Sequence, residues 1–263
     1  MTADTDASNA ALNAPPENAP TSAPASQTLS RGIRALEILA QSAEPLSIAQ
    51  LAESMEVHRS VAYRILRTLE DHSLLVRDDA GRVTVGPGLA VLARGVSRDL
   101  QSAALPELNN LANSLHISAF VAVWDREDCV TLLTVEPKHT GATIAQRPGT
   151  RHRINAGAPG LAIQSTMTQK QWQNAAPGIP YRPEAVAARE LGYAMSHDEV
   201  IAGVSSIAAP IRVPGGRPAA LATVYIRTDQ QPAHIGGLLH AAAQRIETSL
   251  GSSSGPVDQQ HRR

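Results

Sequence analysis

Ser60, Tyr63, Arg64 and Arg67 stand at i, i+3, i+4 and i+7, the spacing that lines side chains along one face of a helix. Arginine can grip guanine edges through two parallel hydrogen bonds or hold a phosphate, and serine and tyrosine hydroxyls can donate to backbone oxygens. Together these four residues could contact a DNA duplex. Arg59, at the start of the same segment, is placed to hold phosphate. Val61, Ala62, Ile65, Leu66 and Leu69 form an interleaved apolar set, so the segment reads as a helix with one face to bury and one to present.

A reading helix must be held by others. Upstream, Ile48, Leu51, Ala52 and Met55 recur with helical period, and Ser47 with Gln50 has the spacing of a capping box. Before that, Ile33, Leu36, Leu39 and Ala40 predict a helix starting near Ser30. Downstream, Leu74 to Val76 and Arg82 to Val85 bracket Asp78-Asp79-Ala80-Gly81, a hairpin signal. Three helices and a hairpin describe a winged helix-turn-helix over residues 29–86, whose second motif helix enters the major groove. Arg77 and Arg82 flank the wing tip, within reach of a phosphate or the minor groove. From Leu29 to Val85, however, seven arginines stand against eight acidic residues. The cations are therefore concentrated in place rather than in excess, and non-specific DNA affinity should be modest.

The chain has 263 residues, 43% of them hydrophobic, a net charge of -1 and a single cysteine, Cys129. This length suits two domains or one large one. One cysteine excludes an internal disulfide framework or a multi-cysteine zinc site, and no cofactor is expected. No apolar run approaches the roughly 20 residues of a membrane span, and no secretory pattern opens the chain, so a cytoplasmic protein without membrane contact is expected. Residues 1–28 and 251–263 are rich in small, polar and proline residues and read as disordered tails. Leu89, Leu92, Ala93, Val96 and Leu100 share a helical stripe, predicting a linker helix over 87–101 that is a candidate dimer contact; a further helical pattern covers Leu105 to Leu115.

From Ile117 the period changes. Strand-like runs at Ile117 to Trp124 and Cys129 to Val135 flank a turn, and Ala142 to Arg147, Tyr193 to Ser196, Ser206 to Val213 and Ala219 to Arg227 follow. Helical patterns at Ala158 to Thr166, Gln169 to Asn174, Pro183 to Arg189 and Gly236 to Leu250 interleave with them. Residues 102–250 thus form an α+β domain with a mainly antiparallel sheet.

The order of these parts resembles the IclR family of bacterial transcription regulators. The resemblance rests on Arg31-Gly32-Ile33-Arg34-Ala35-Leu36-Glu37-Ile38-Leu39, Gly157-Ala158-Pro159-Gly160-Leu161-Ala162, Glu190-Leu191-Gly192-Tyr193 and Gly203-Val204-Ser205-Ser206-Ile207-Ala208-Ala209-Pro210-Ile211. It implies a GAF-like C-terminal domain that binds a small effector, and homodimers or homotetramers on double-stranded operator DNA. By position it carries the effector pocket to Gly157, Ala158, Ser196, Val204 and Ser206. This chain departs from the family pattern at Leu161, where lysine is common, at Ser196, where an acid is common, and at Ser206, where cysteine is common.

Physically, Gly157 and Ala158 would let a carboxylate approach backbone N–H groups at a helix start, with hydroxyls at Ser196 and Ser206 to orient it. Arg151, His152 and Arg153 read as an exposed loop that could add positive field, and His197-Asp198-Glu199 as a solvated turn. Gly157-Ala158-Pro159-Gly160 lacks the ending of a phosphate loop, Ser205-Ser206 lacks a nucleophile elbow, and no His-Glu-x-x-His occurs. The expectation is an effector-responsive repressor or activator that senses a small organic acid or aromatic metabolite, and not an enzyme. The alternative is a small-molecule enzyme whose N-terminal helices serve as an interaction module.

Overall fold

The computed structural model of the chain describes residues 26–138, 144 and 146–253. The expected disordered tails lie outside these residues except at their inner ends, which are helical. The chain divides into two units, one ending at Arg94 and the other beginning at Gly95.

In the first unit α1 spans Gln27–Gln41, three residues earlier than the apolar pattern predicts. Ser26 is the reason: its hydroxyl caps the helix by accepting from the Leu29 N–H. The buried face is also rotated, to Gly32, Ala35 and Leu39, and leaves Ile33 half exposed. Small residues allow α1 to approach α3 closely, with Gly32 against Ile65, so they set the contact instead of the larger isoleucine. The next helix, α2 (Ile48–Ser54), has the expected reciprocal capping box between Ser47 and Gln50. α3 (Arg59–Asp71) follows a turn in which Glu56 takes φ +54°. Its N-cap is His58, whose ring nitrogen accepts from the Ser60 N–H. β1 (Leu75–Arg77) and β2 (Val83–Val85) pair antiparallel to form the wing, and Leu46 bridges to Val83. Ala35, Leu39, Leu51, Ile65, Leu66, Leu75 and Val83 form the core of this unit.

The helix predicted over 87–101 is not continuous. α4 covers Gly88–Ala93, and α5 begins at Arg98 and runs to Leu115. Gly95, a poor helix former, and Ser97, at φ +46°, fall in the gap.

The second unit is built on a six-stranded sheet of order β5-β4-β3-β8-β7-β6, with every neighbouring pair antiparallel. Its strands are β3 (Ser118–Asp125), β4 (Asp128–Val135), β5 (Arg151–Arg153), β6 (Ala194–His197), β7 (Ser205–Ile211) and β8 (Ala219–Tyr225). Side chains alternate across it. Val121, Ile207, Ile211 and Leu221 pack with α5 and with α9 (Pro232–Ser253). Phe120, Ala122, Ala208, Ala220 and Ala222 pack on the other face with α6 (Gly157–Ser165), α7 (Gln169–Ala175) and α8 (Glu184–Leu191). Helices on both faces explain the uninterrupted apolar run in β3. On the second face Trp172 from α7 is fully buried and stacks on Trp124 from β3, ring centroids 4.9 Å apart.

Two predicted elements differ. The strand expected over 142–147 lies partly outside the described residues, and Ile144, Gln146 and Arg147 carry no strand. Arg151-His152-Arg153, expected as an exposed loop, is the edge strand β5, paired with Asp128 to Val130.

Candidate functional site

On α3, Ala62, Ile65 and Leu66 are buried, while Arg59, Ser60, Tyr63, Arg64 and Arg67 are all exposed. The stripe read from the spacing therefore faces outward. Among the described residues, Arg59, Arg64 and Arg67 have no carboxylate partner within 4.0 Å. Three uncompensated guanidinium groups thus lie along one short helix. Ser60 is positioned by the capping histidine, its hydroxyl 2.8 Å from His58 Nδ1.

The wing arginines are engaged within the unit. Arg77 Nε donates to Glu70 Oε2 at 2.9 Å, and its guanidinium lies 5.7 Å from the centre of the Tyr63 ring, a cation–π contact that links the wing to α3. Arg82 Nε donates to Asp78 Oδ2 at 2.8 Å, and Asp78 Oδ1 accepts from the N–H groups of Ala80 and Arg82. Hydrogen bonding from the Arg82 N–H is the main cause holding the Asp78 carboxyl below the usual range. These two arginines build the wing, and Arg82 keeps half of its side chain in solvent.

In the second unit Gly157, Ser196, Val204 and Ser206 line one cavity, together with Phe120, Gln146, His152, Pro159, Glu199, Val200, Ile201 and Val224. Its volume is about 50 Å³. Ala158 is not in that lining. Its methyl is fully buried in the core, and it serves the site through its backbone N–H, which donates to Ser196 Oγ at 2.9 Å. Ser206 Oγ donates to the Thr223 carbonyl at 2.8 Å. Gly157 has φ +80°, and a Cβ there would sit 3.0 Å from Val200 Cγ2 and 3.7 Å from His152 Nε2, so glycine both permits the turn and keeps the cavity open.

Spacing alone missed Glu199. Instead of forming a solvated turn with its neighbours, its Oε2 accepts from the Gly157 N–H at 2.8 Å and from Arg182 Nη1 at 2.6 Å; its Oε1 accepts from Arg182 Nη2 at 3.1 Å. Burial pushes its carboxyl pKa up, but the hydrogen bonds from Arg182 and Gly157 outweigh it, and the net shift is downward. Glu184, hydrogen-bonded to Arg182, is lowered as well. His152 turns inward between Arg151 and Arg153, and burial lowers its pKa. The flanking arginines add little field to the cavity because they pair with Asp125, Glu127 and Asp128.

A pH dependence follows from these carboxylates. A group whose folded-state pKa is depressed contributes stability that is complete above its unfolded value, about 4.3 for glutamate, and lost as pH falls through the folded value. The second unit should therefore unfold at progressively lower denaturant as pH drops below about 4.5. Glu199→Gln should flatten that slope, measured by urea midpoints across the pH range.

Catalytic candidates are weaker. His197 Nδ1 lies 2.9 Å from Ser205 Oγ and its Nε2 3.0 Å from Asp198 Oδ2, but the histidine is 63% exposed and lies outside the cavity lining. Cys129 is fully buried, and burial raises its thiol pKa, which suits a core residue.

Residues 28–79 match the family model of the IclR helix-turn-helix domain, and residues 94–248 match that of the bacterial transcriptional regulator IclR C-terminal domain. The HTH-type transcriptional repressor AllR of Salmonella paratyphi A is 24% identical over 90% of this chain and 94% of its own length. The HTH-type transcriptional regulator XynR of Escherichia coli K12 is 23% identical over 72% of this chain and 81% of its own. Among solved structures, an IclR homologue of Microbacterium hydrocarbonoxydans in complex with 4-hydroxybenzoate covers 86% of this chain and all of its own, at 23% identity and TM-score 0.72. An IclR regulator of Alicyclobacillus acidocaldarius covers 85% of this chain and 98% of its own, at 22% identity and the same TM-score, 0.72.

Proposed function

The chain belongs to the IclR family of bacterial transcriptional regulators, and from that premise we propose that it binds an operator through α3 and responds to a small organic acid or aromatic metabolite. The observation that carries this reading is the outward stripe of α3, with Arg59, Arg64 and Arg67 exposed and unpaired among the described residues. An exposed helix bearing free guanidinium groups, preceded by a short helix and followed by a hairpin, suits entry into a major groove. Arg64 and Arg67 are assigned to base edges and Arg59 to a phosphate. The wing contributes through Arg82, and α3 adds the half-exposed Tyr63. Arg77 is kept at the interface by its pairing with Glu70 and holds Tyr63 in place.

The protein acts as a dimer or a pair of dimers. Leu29 and Ile33 on α1 and Val91 and Leu92 on α4 are large apolar side chains exposed at half or more of their surface, and a second copy would cover them. The effector pocket is the cavity beside the start of α6. The relative solved with 4-hydroxybenzoate supports an aromatic acid as one class to test. Effector binding would shift the relative placement of two reading helices and so their fit to half-sites on one face of the duplex. The protein works as a regulator rather than an enzyme, in the cytoplasm where its operator lies; among the described residues no helix is long and apolar enough to cross a membrane.

Sequencing DNA fragments selected by the protein from a random pool should return a pseudo-palindrome with half-sites a whole number of helical turns apart. A pool that shows no enrichment would overturn the proposal. Arg59→Ala should weaken binding to the selected operator and to random DNA by the same factor, and should reduce the slope of log affinity against log salt by about 1. Anisotropy titrations at several salt concentrations give both quantities.

A further inference from the structure

Glu199 sits where a ligand's carboxylate would sit. One of its oxygens takes both the first N–H of α6, from Gly157, and an arginine N–H, while the other takes the second N–H of the same guanidinium. This bidentate clamp beside a helix start is a strong carboxylate-binding arrangement. The carboxylate belongs to the segment between β6 and β7, where Asp198 and Gly203 both have positive φ, and the same segment supplies Val200 and Ile201 to the cavity wall with half of each exposed. The remaining cavity of about 50 Å³ has room for a few waters and none for an aromatic ring. A further polar atom is left unused there: His152 Nε2 lines the cavity, is shielded from solvent, and has no hydrogen-bond partner among the described residues.

We propose that Glu199 is a tethered competitor, a built-in carboxylate that holds the effector subsite closed, and that a small monocarboxylate binds by exchanging with it at the Gly157 N–H and the Arg182 guanidinium. The inference rests on the effector pocket named above. Exchange of one carboxylate for another leaves the charge of the subsite unchanged, and the displaced Glu199 regains its hydration in solvent. Net affinity then comes from the body of the ligand, which meets Phe120, Val204 and Val224 once Val200 and Ile201 have moved aside with Glu199. A compact acid such as acetate should therefore compete poorly and an acid with a flat apolar body well. Because the tether gives Glu199 a local concentration on the order of millimolar or above, it sets a threshold below which the effector is ignored. Release of the segment joining β6 to β7 is the movement that reports occupancy.

The test uses the full chain, with benzoate as probe and benzamide as its neutral isostere, in calorimetric titrations of the wild type, Glu199→Ala and Glu199→Gln. Removing the competitor should tighten benzoate at least tenfold in Glu199→Ala. The gain should be smaller but of the same sign in Glu199→Gln, whose amide oxygen still accepts from Gly157, and benzamide should gain nothing in either. Should Glu199→Ala melt too low to titrate, Glu199→Gln alone decides. Equal benzoate affinity in all three proteins, absence of benzoate binding in all three, or a gain for benzamide matching that for benzoate overturns the exchange. Operator binding with and without benzoate is read separately. Benzoate that exchanges with Glu199 but leaves operator affinity untouched supports the exchange and defeats the regulatory reading, whereas an operator response to ligands that is indifferent to Glu199 does the reverse.

Discussion

Replacing Arg64 and Arg67 together by alanine should lower affinity for the selected operator by roughly a hundredfold or more, since a bidentate contact between arginine and guanine contributes about 1–3 kcal/mol. Both side chains are exposed and lie opposite the buried residues Ala62, Ile65 and Leu66, so the loss should come with an unchanged helical circular dichroism spectrum and melting temperature. The single variants should also relax specificity, each at one base position of the half-site, which selection from a randomised operator would read out. The two residues are three apart on one helix, so their effects need not add. Arg64 also lines an open groove between α1 and α3 with Leu29, Gly32 and Ile65, and its variant is the one whose stability must be checked. Operator affinity unchanged in the double variant would remove α3 from the interface.

Gly160→Ala should abolish the fold of the second unit. A Cβ at Gly160 would lie 2.0 Å from the Ile154 carbonyl oxygen and 2.8 Å from its carbon, both backbone atoms of the chain entering α6. All nine residues of α6 are buried, so the helix has nowhere to retreat. Overpacking in a responsive core costs about 1–3 kcal/mol, and a clash with backbone on an enclosed helix should exceed that range. Thermal unfolding should show the main transition lost or lowered by about 10 °C or more, since a unit of this size loses about 2–4 °C per kcal/mol and the cost exceeds roughly 3 kcal/mol. Gly95→Ala is the control: nothing lies within 4 Å of its added Cβ, and it should leave the melt in place. A wild-type melt for Gly160→Ala would mean that α6 is packed less tightly than its geometry indicates.

Local rules and long-range ones divided what could be read from the chain. The capping box at Ser47 and Gln50 and the outward stripe of α3 depend on residues within two helical turns of one another, and both stand where their spacing put them. The face of α1 did not follow the apolar count, because close approach through Gly32 and Ala35 decided the packing and left Ile33 outside. β5 carries no apolar alternation. It is an edge strand held by backbone pairing with β4 and by ion pairs of Arg151 and Arg153 with acids some 26 residues earlier in the chain. Glu199 was hidden for the same reason: its partners, Gly157 and Arg182, lie 42 and 17 residues away. The wing arginines were placed correctly along the chain, but their partners Glu70 and Asp78 could be assigned only once the hairpin had folded. Gly157, Ser196, Val204 and Ser206 came together because the family resemblance aligned them by position, whereas periodicity has no means of joining residues from three separate elements.

The stacked pair of Trp124 and Trp172 has an optical consequence. They are the only two tryptophans in the chain, and both belong to the second unit. Light absorbed and re-emitted by indole therefore reports on that unit alone, with no background from the helix-turn-helix unit. A change in emission when operator is added would be a signal received across the boundary between the units, and if operator also changes effector affinity, linkage requires the effector to change operator affinity by the same factor.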